Sequence, residues 1–353
     1  MNGNKLYKIY SHSDADGGIA AAIFSKFLHE KYAKYDWYFD IEPVNHITPL
    51  GEWNLKEISW PCAILDFTLH PSLLSEKFFN PKFDLEKSHG KTKSIPECYW
   101  IDHHPTGSNF PFLNETNTKS ILPFVITKWD TSAISTPGLL RTHHEELELP
   151  KRLISEYEEF IDLAEIVDGA LYASCEAAHD FSCPAVKLQT LFNANHPAID
   201  RSVVYKRLAK QIAKNSSVEA LFDSDFLYPS IILHEEQEHN KQLKAYKKAT
   251  HLHGKVAYAK FLEHKDYAGL GRFIPYLHHE DAHYAIHLAP KGRGNYSISC
   301  GINPWNKPTG KPKHLGNYFL KAFSGGGHAF VAGGKVKSEE LNKIDELIQF
   351  LNS

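Results

Sequence analysis

The segment ECYWIDHH at residues 97–104 gives the clearest indication of the fold of this chain. Its apolar part is typical of a buried strand, and it ends directly in the polar tripeptide Asp102-His103-His104. A strand delivers the side chains that follow it to an edge of its sheet. Carboxylate and imidazole groups are also metal ligands. The segment therefore predicts a sheet that carries metal-binding or catalytic groups along one edge.

Two earlier apolar runs end in the same way. Residues 6–10 lead into SHSDADGG at residues 11–18, and residues 63–65 lead into Asp66. After the two glycines, where we expect a tight turn, residues 19–28 have the pattern of a helix. Alternating strands and helices predict an α/β fold with a largely parallel sheet flanked by helices. The carboxyl ends of parallel strands meet at one edge, so the acidic clusters are expected close together.

The chain is long enough for two domains, since its 353 residues can form two hydrophobic cores. The segment at residues 231–250 is charged and free of Gly and Pro, which is typical of a solvated connecting helix. We predict a first domain over residues 1–225, a connecting helix over 226–250, and a smaller α/β domain over 251–353. Strand-like runs in the last domain lead to the glycine-rich segment SGGGHAFVAGG at residues 324–334.

Composition narrows the class of protein. A net charge of −3 disfavours a protein that coats long nucleic acid, and a short or small phosphorylated substrate fits better. The five cysteines are scattered without a Cys-x-x-Cys pair, which fits a reducing compartment and argues against structural zinc. No apolar run has the length of a membrane span or a signal peptide. We therefore expect a cytoplasmic protein that does not bind membranes.

Four carboxylates and two imidazoles would meet at the predicted sheet edge. Like charges so close repel each other or hold protons, unless divalent cations offset them. Oxygen and imidazole ligands without thiolate suit Mn²⁺ or Mg²⁺, and two such ions promote in-line displacement at a phosphate. Each aspartate alone can instead be a turn or helix-cap residue, but the full set favours phosphoester hydrolysis. The set is Asp14, Asp16, Asp66, Asp168, His12 and His103.

The order of these motifs resembles the DHH phosphoesterase family with its DHH-associated C-terminal domain, and the resemblance spans nearly the whole chain. It implies an N-terminal DHH catalytic domain and a C-terminal substrate-binding domain. The first motif is most similar to that of one nano-RNase branch among the RecJ-like members. The residues that carry the resemblance are SHSDADG at 11–17, Asp66, DHH at 102–104, and GGGH at 325–328 followed by Ala332-Gly333.

The resemblance also implies a ligand set. Many family members have a histidine at the position of Tyr10, whereas this chain has His12 two residues before the first motif aspartate. Asp162 and Asp180 are the alternatives to Asp168, because the fourth family motif is short. The implied ligands are His12 and Asp14 for the first ion, Asp16, His103 and Asp168 for the second, and Asp66 as the bridge between both.

Catalytic and substrate-binding roles follow from the same resemblance. Asp102 would orient a ligating imidazole, His104 would face the scissile phosphate, and a hydroxide bridging the two ions beside Asp66 would be the nucleophile. Apart from the resemblance, the segment KGRG at residues 291–294 offers positive charge, and Arg293 can pair with a terminal phosphate, although the segment can equally be a solvated hairpin turn. The glycine triplet can likewise be a simple turn. The candidate substrate-binding residues are His104, Arg293, Gly325, Gly326, Gly327 and His328.

The family contains several activities, and the sequence favours one of them. It includes RecJ-type exonucleases, nano-RNases, dinucleotide hydrolases, phosphoadenosine phosphate phosphatases and manganese pyrophosphatases, the last without the glycine-rich C-terminal signature. We predict manganese-dependent hydrolysis of short single-stranded RNA to mononucleotides, with Mg²⁺ as an alternative ion. Hydrolysis of linear dinucleotides of the pApA type or of phosphoadenosine phosphate is the nearest alternative. A non-catalytic scaffold is the alternative of another class, and the retained acidic residues argue against it. A homodimer is compatible with each of these functions.

Overall fold

The structure is a computed structural model, which describes residues 5–45, 61–67, 97–104 and 125–353 apart from the single residues 216, 226, 268, 270, 311 and 328. The chain divides into two compact units, Met1–Leu171 with Pro184–Ile232 and Tyr172–Cys183 with Leu233–Ser353. The first unit is thus interrupted in sequence by a short segment that belongs to the second. The domain limits at residues 225 and 251 stay a prediction.

The first unit contains a five-stranded parallel sheet. Its strands follow the order β2-β1-β3-β4-β5, and each neighbouring pair is parallel. The predicted α/β class is therefore confirmed. The strands are β1 (Lys5–His12), β2 (Trp37–Val44), β3 (Cys62–Leu65), β4 (Cys98–Asp102) and β5 (Val125–Trp129). The helices are α1 (Ala15–Lys31), α2 (Thr136–Thr142), α3 (Lys151–Glu156), α4 (Glu158–Asp168), α5 (Pro184–Phe192), α6 (Arg201–Ile212) and α7 (Val218–Asp223).

Burial explains why the central strands are continuous apolar runs in the sequence. Every residue of β3 and β4 is buried. Strands of a parallel sheet covered on both faces lose the alternation of polar and apolar residues that a half-exposed strand shows. Helix α1 packs against the sheet, and the side chains of Ile19, Ile23 and Phe24 are fully buried. The first turn of α1 is thereby fixed beside the carboxyl end of β1.

The two glycines of the first motif lie inside α1, not in a turn before it as the sequence suggested. The helix starts at Ala15, and the backbone N–H of Gly17 donates to Asp14 at 3.1 Å. A β-carbon on Gly17 would lie 2.2 Å from the carbonyl oxygen of His12, and one on Gly18 would lie 2.1 Å from the ring of Phe192. Close packing, and not chain reversal, therefore requires glycine at these positions.

The second unit is built on a mixed six-stranded sheet in the order β10-β11-β9-β8-β7-β6, in which β7 and β8 are parallel and the other pairs antiparallel. Its core combines strand residues such as Ile286 and Ile298 with Phe319 and Leu347 from two helices. The strands are β6 (Thr250–His253), β7 (Val256–Lys260), β8 (Tyr284–Gly292), β9 (Asn295–Ile302), β10 (Gly326–Gly327) and β11 (Val331–Lys337). The helices are α8 (Leu227–Ala249), which begins in the first unit, α9 (Ile274–His278), α10 (Leu315–Ala322) and α11 (Asn342–Asn352).

The cysteines and the hydrophobic character of the helices are both visible in the described residues. The five cysteines are free thiols, and four of them are buried. Among the described residues, none of the helices combines the length and the apolar character that crossing a bilayer requires.

Candidate metal centre

Three neighbouring strands of the parallel sheet end at one acidic cluster. In the register of the sheet, Ser11 of β1 lies beside Leu65 of β3, and Leu65 lies beside Ile101 of β4. The residues that follow these positions therefore emerge together at the carboxyl edge. They are His12 at the end of β1, Asp14 and Asp16 at the start of α1, Asp66 after β3, and Asp102, His103 and His104 at and after the end of β4.

The first ligand group consists of His12, Asp14 and Asp66, each of which offers one ligand atom within 4.8 Å of the others. The Nδ1 atom of His12 lies 2.7 Å from Oδ2 of Asp14 and 3.8 Å from Oδ2 of Asp66. This group combines one imidazole with two carboxylates. It can hold one divalent cation.

The second ligand group consists of Asp16, His103 and Asp168. The Nε2 atom of His103 lies 3.1 Å from Oδ2 of Asp16 and 3.8 Å from Oδ2 of Asp168. Asp66 approaches this group as well, because its Oδ1 atom lies 3.4 Å from Nε2 of His103. Asp66 thus turns one oxygen toward each group, which is the arrangement that a bridging carboxylate requires.

A hydrogen bond on one side of the His103 ring directs its other nitrogen toward the ligand groups. Its Nδ1 atom lies 3.2 Å from the carbonyl oxygen of Ala133, and because a carbonyl can only accept, Nδ1 carries the proton of that hydrogen bond. The opposite atom, Nε2, is buried and makes no hydrogen bond within the described part of the chain. It faces carboxylate oxygens of Asp16 and Asp66, and such a group of buried acceptors is unfavourable unless a proton or a cation lies between them. The donor set of the second group therefore fits a divalent cation.

A third group brings His104 beside the first two. Asp102, which is 1% exposed, accepts from Nδ1 of His104 at 2.7 Å and from its backbone N–H at 3.2 Å. The same Nδ1 atom lies 3.7 Å from Oδ1 of Asp66. Asp102 therefore orients His104, whereas the imidazole of His103 is held by a backbone carbonyl. The catalytic role expected for Asp102 stays a prediction, but its partner is now defined.

Sequence reasoning missed Thr136, the first residue of α2. Its backbone N–H donates to both carboxylate oxygens of Asp16, at 3.0 and 3.1 Å, and its Oγ1 atom donates to Oδ1 of Asp66 at 3.0 Å. Ser135 caps the same helix by accepting from the N–H of Gly138. A serine followed by Thr136 and a proline indicates a helix start. Nothing in the spacing indicated that this helix end would hold two carboxylates of the cluster.

The backbone at Asp66 is strained. Its φ of +57° lies in the left-handed region, which costs about 1–2 kcal/mol for a residue with a β-carbon. Its side chain is almost completely buried at the same time. Such a position persists only where the surrounding structure fixes it, here through Thr136 and the end of β3. This backbone conformation directs the Asp66 carboxylate between the two ligand groups.

The pKa shifts of residues in the cluster indicate that the metal-free cluster has too little positive charge to balance its carboxylates. Burial disfavours the charged imidazolium of His103 and thus lowers its pKa. The interactions with Asp16 and Asp66 have the larger effect and raise the pKa of His103 to about 12. Burial and the charge of Asp16 raise the pKa of Asp66 well above its usual range, and they raise that of Asp168 to about 6. These carboxylates therefore hold protons more tightly than isolated carboxylates do, and a cation would compete with those protons.

Comparison with known proteins identifies the fold. No protein-family model and no curated protein matches the sequence. The structure of the pGpG-specific phosphodiesterase PggH from Vibrio cholerae matches over 98% of this chain and 99% of its own, with a TM-score of 0.65 and 14% identity. The DHH domain of a member of a family of ribosomal proteins covers 98% of this chain and 86% of its own, with a TM-score of 0.50 and 15% identity. CDC45 from Entamoeba histolytica covers 99% and 95%, with a TM-score of 0.50 and 9% identity.

This chain has the DHH fold. The fold that the sequence resemblance implied is therefore confirmed. At these identities the similarity concerns the fold alone, so the roles of individual residues of the DHH fold depend on the geometry of this chain.

Within the DHH fold, the two alternatives to Asp168 have other contacts. Asp162 is bound to Nη1 of Arg141 at 2.8 Å, and that arginine also binds two glutamates of the same region. Asp180 belongs to the second unit, where it accepts from the backbone N–H of Ser182 at 2.8 Å. Of the three aspartates, Asp168 is the one that the structure brings to His103.

The substrate-binding residues expected in the second unit fall into three cases. Arg293 and Gly294 form the turn between β8 and β9, with φ values of +53° and +72°, which shows that the segment is a hairpin turn. A β-carbon on Gly325 would lie 2.1 Å from the carbonyl oxygen of Gly333, whereas one on Gly326 would meet nothing within 4 Å. Gly327 has a φ of +144°. His328 lies outside the described residues.

Proposed function

We propose that this chain is a metal-dependent phosphodiesterase that hydrolyses short single-stranded RNA to mononucleotides. The observation that supports this proposal most directly is the position of Asp66, with Oδ2 near His12 and Oδ1 near His103. Two ligand groups that share one carboxylate are suited to a pair of divalent cations. Phosphodiester hydrolysis is the chemistry that such a pair serves best.

The donor atoms favour Mn²⁺, with Mg²⁺ as the alternative. The ligand groups contain carboxylate oxygens and imidazole nitrogens but no thiolate. Hard oxygen donors suit both ions, and the imidazole of each group favours the softer Mn²⁺. When bound, the two cations would lower the pKa of a water molecule and neutralise charge on the phosphate. His12, Asp14, Asp16, Asp66, His103 and Asp168 would hold them.

The remaining residues of the cluster would position the reaction. Asp102 fixes the orientation of His104 through two hydrogen bonds. Burial opposes the charged form of His104, but Asp102 outweighs this and raises the pKa of His104 to about 9. His104 would therefore be protonated at neutral pH and can donate a hydrogen bond to a phosphate oxygen. Thr136 would keep Asp16 and Asp66 in place while substrate binds and product leaves.

Linear dinucleotides are a second candidate substrate. The observation that favours them is the full-length similarity of fold to a pGpG-specific phosphodiesterase. The same cluster can serve either substrate, because the phosphodiester bond is the same. The substrate must therefore be decided by measurement.

The decisive experiment is a Mn²⁺-dependent digestion of 5′-labelled RNAs of two, five and twenty-four nucleotides, with linear diadenylate and phosphoadenosine phosphate in parallel. Fast loss of the short RNAs with the long one spared supports the RNA assignment. Activity confined to diadenylate or phosphoadenosine phosphate supports a hydrolase of small nucleotides. If folded protein turns over none of them, the non-catalytic scaffold is favoured instead.

Matched variants connect any activity to the cluster. Asp66→Asn and His103→Ala should abolish turnover, because they remove the shared carboxylate and a ligand of the second group. Asp168→Asn should reduce it strongly, whereas Asp162→Asn on the same helix α4 should not, since Asp162 is bound to Arg141. Near-normal rates in Asp66→Asn would contradict the proposal.

A further inference from the structure

A groove in the second unit is surrounded by lysines. It has a volume of about 440 Å³ and lies where the last part of α8, the end of β7 and the 3₁₀ helix His264–Asp266 meet. This volume lies within the range of small-molecule sites in proteins. The charged residues around it are Lys244, Lys248, Lys260, Lys265 and Asp266.

The groove carries more positive than negative charge. Four ammonium groups surround it together with the single carboxylate of Asp266. Lys265 pairs with Glu263 at 2.7 Å, whereas Lys244, Lys248 and Lys260 have no ion-pair partner in the part of the chain that the structure describes. This concentration of cations occurs in a chain whose net charge is −3. The local charge favours an anionic ligand.

The arrangement of the lysines differs from that of an ordinary solvated helix face. Lys244 and Lys248 are four residues apart on α8, so they lie on one face and repel each other. One turn earlier on the same helix, Lys241 instead pairs with Glu238. Lys260 adds a third cation from a different element. A bound anion would relieve the repulsion among these groups.

The wall of the groove offers cations but no exposed aromatic ring. Phe261 is 1% exposed, so its ring offers no surface on which a base could stack. Lysine binds phosphate as a point charge and does not need one fixed geometry. The 3₁₀ helix that supplies Lys265 and Asp266 also approaches the β8–β9 hairpin, since Nε2 of His264 lies 4.0 Å from the position of a β-carbon on Gly292. Lys291 and Arg293 flank that glycine.

We infer that this groove binds a ligand with two or more neighbouring phosphate groups. None of its residues belongs to the acidic cluster of the metal centre, so it is a second ligand site. A free nucleoside polyphosphate and the backbone of an oligonucleotide share the required chemistry. Several adjacent phosphates would engage the lysines of α8 and β7 together.

Binding of inorganic tripolyphosphate to the metal-free full-length protein, measured by calorimetry in EDTA, tests the site. The variant Lys244→Ala/Lys248→Ala should bind about tenfold more weakly than the wild type, because two charged contacts are lost. The control Lys241→Ala/Lys247→Ala changes the same helix by the same charge and should bind like the wild type. Equal thermal unfolding of the three proteins excludes a loss of fold as the cause.

Two further titrations distinguish the sources of phosphate. If guanosine triphosphate binds and its affinity falls in Lys244→Ala/Lys248→Ala, the ligand is a free polyphosphate. If instead a labelled five-nucleotide RNA binds and its affinity falls in this variant, the ligand is an oligonucleotide backbone. Equal tripolyphosphate affinity of both double variants, or no binding to the wild type, would overturn the inference. Because no metal or turnover is involved, that failure is distinct from a failure of the proposed phosphodiesterase activity.

Discussion

The hydroxyl of Thr136 donates a 3.0 Å hydrogen bond to Oδ1 of Asp66, although the two residues are 70 positions apart in the sequence. Both partners are buried. The backbone N–H of the same threonine binds Asp16. One residue at the start of α2 therefore holds a carboxylate that faces both ligand groups and a carboxylate of the second group.

Replacing Thr136 with valine should weaken metal binding. Valine preserves the shape and the backbone N–H but removes the hydroxyl that fixes Asp66. Residues that orient metal ligands typically contribute about 10–100-fold to metal affinity or activity. We expect a loss of about tenfold in Mn²⁺ affinity by calorimetry. Thr142→Val on the same helix is the control, because that hydroxyl donates to the carbonyl oxygen of Gly138 and should not affect the metal. Equal Mn²⁺ affinity of the two variants would show that Asp66 is held without Thr136.

Asp66→Asn should stabilise the metal-free protein. Burial and Asp16 raise the pKa of Asp66, so above a pH of about 4 the folded state holds this proton more tightly than the unfolded state does. This group therefore destabilises the fold at neutral pH, and a neutral amide removes the penalty. We expect the melting temperature in EDTA to rise by roughly 2–4 °C for each kcal/mol recovered.

With Mn²⁺ the order of stability should reverse. The wild type would gain stability from the ions that its folded state binds, and the variant would gain much less. Calorimetric melting with and without Mn²⁺ measures both effects. A variant that is less stable than the wild type under both conditions would argue that Asp66 serves the fold and not a cation.

Metal binding should release protons. Burial opposes the charged form of His12, but Asp14 and Asp66 outweigh it and raise its pKa to about 9, so both His12 and His103 are protonated in the metal-free protein at neutral pH. A ligating imidazole nitrogen must lose its proton. Mn²⁺ affinity should therefore rise as pH increases from about 6 to 9. Calorimetry in buffers of different ionisation enthalpy counts the released protons, and His103→Gln should release about one fewer.

A buried histidine in the second unit should make stability depend on pH. His287 is 6% exposed, and burial lowers its pKa to about 4. Below its unfolded pKa of about 6.5, the unfolded state binds a proton that the folded state does not, so stability falls as the pH falls toward about 4. The full effect is about 3 kcal/mol. Urea unfolding across this range should show a weaker pH dependence in His287→Gln than in the wild type. His251→Gln, at an exposed position of β6, is the control.

The sequence was sufficient where a functional residue directly follows a strand. Asp66 and His103 come one residue after β3 and β4, and His12 is the last residue of β1. In a parallel sheet these positions share one edge whatever the rest of the chain does. Local pattern and one rule of topology therefore predicted most of the cluster.

The sequence was insufficient where contacts depend on the placement of distant elements. Thr136 reaches Asp16 over 120 residues of sequence, and the carbonyl of Ala133 reaches His103 from a segment without regular structure. The sequence also did not show why residue 17 must be glycine. The carbonyl oxygen of His12 that leaves no room for a β-carbon there is placed by the fold. Tyr172–Cys183, which lies between two helices of the first unit, gives no compositional sign that it belongs to the second.

The glycine triplet allows structural and functional roles to be separated. Gly325→Ala should destabilise the second unit by about 1–3 kcal/mol, because the new β-carbon would overlap the carbonyl oxygen of Gly333. Gly326→Ala places its β-carbon in open space and should leave stability equal or slightly higher, since alanine restricts the unfolded chain. Thermal unfolding of the two variants measures this contrast.

Kinetics of the same two variants then test the expected contact with substrate. If the backbone at Gly326 approaches a phosphate or sugar, a methyl group there should raise KM for short RNA and leave kcat nearly unchanged, because it removes binding that is shared by ground state and transition state. That rise in a fully stable protein cannot come from unfolding. If KM is unaffected in Gly326→Ala, the triplet is explained by the β10–β11 hairpin alone, where Gly325 and Gly327 already have structural reasons to be glycine.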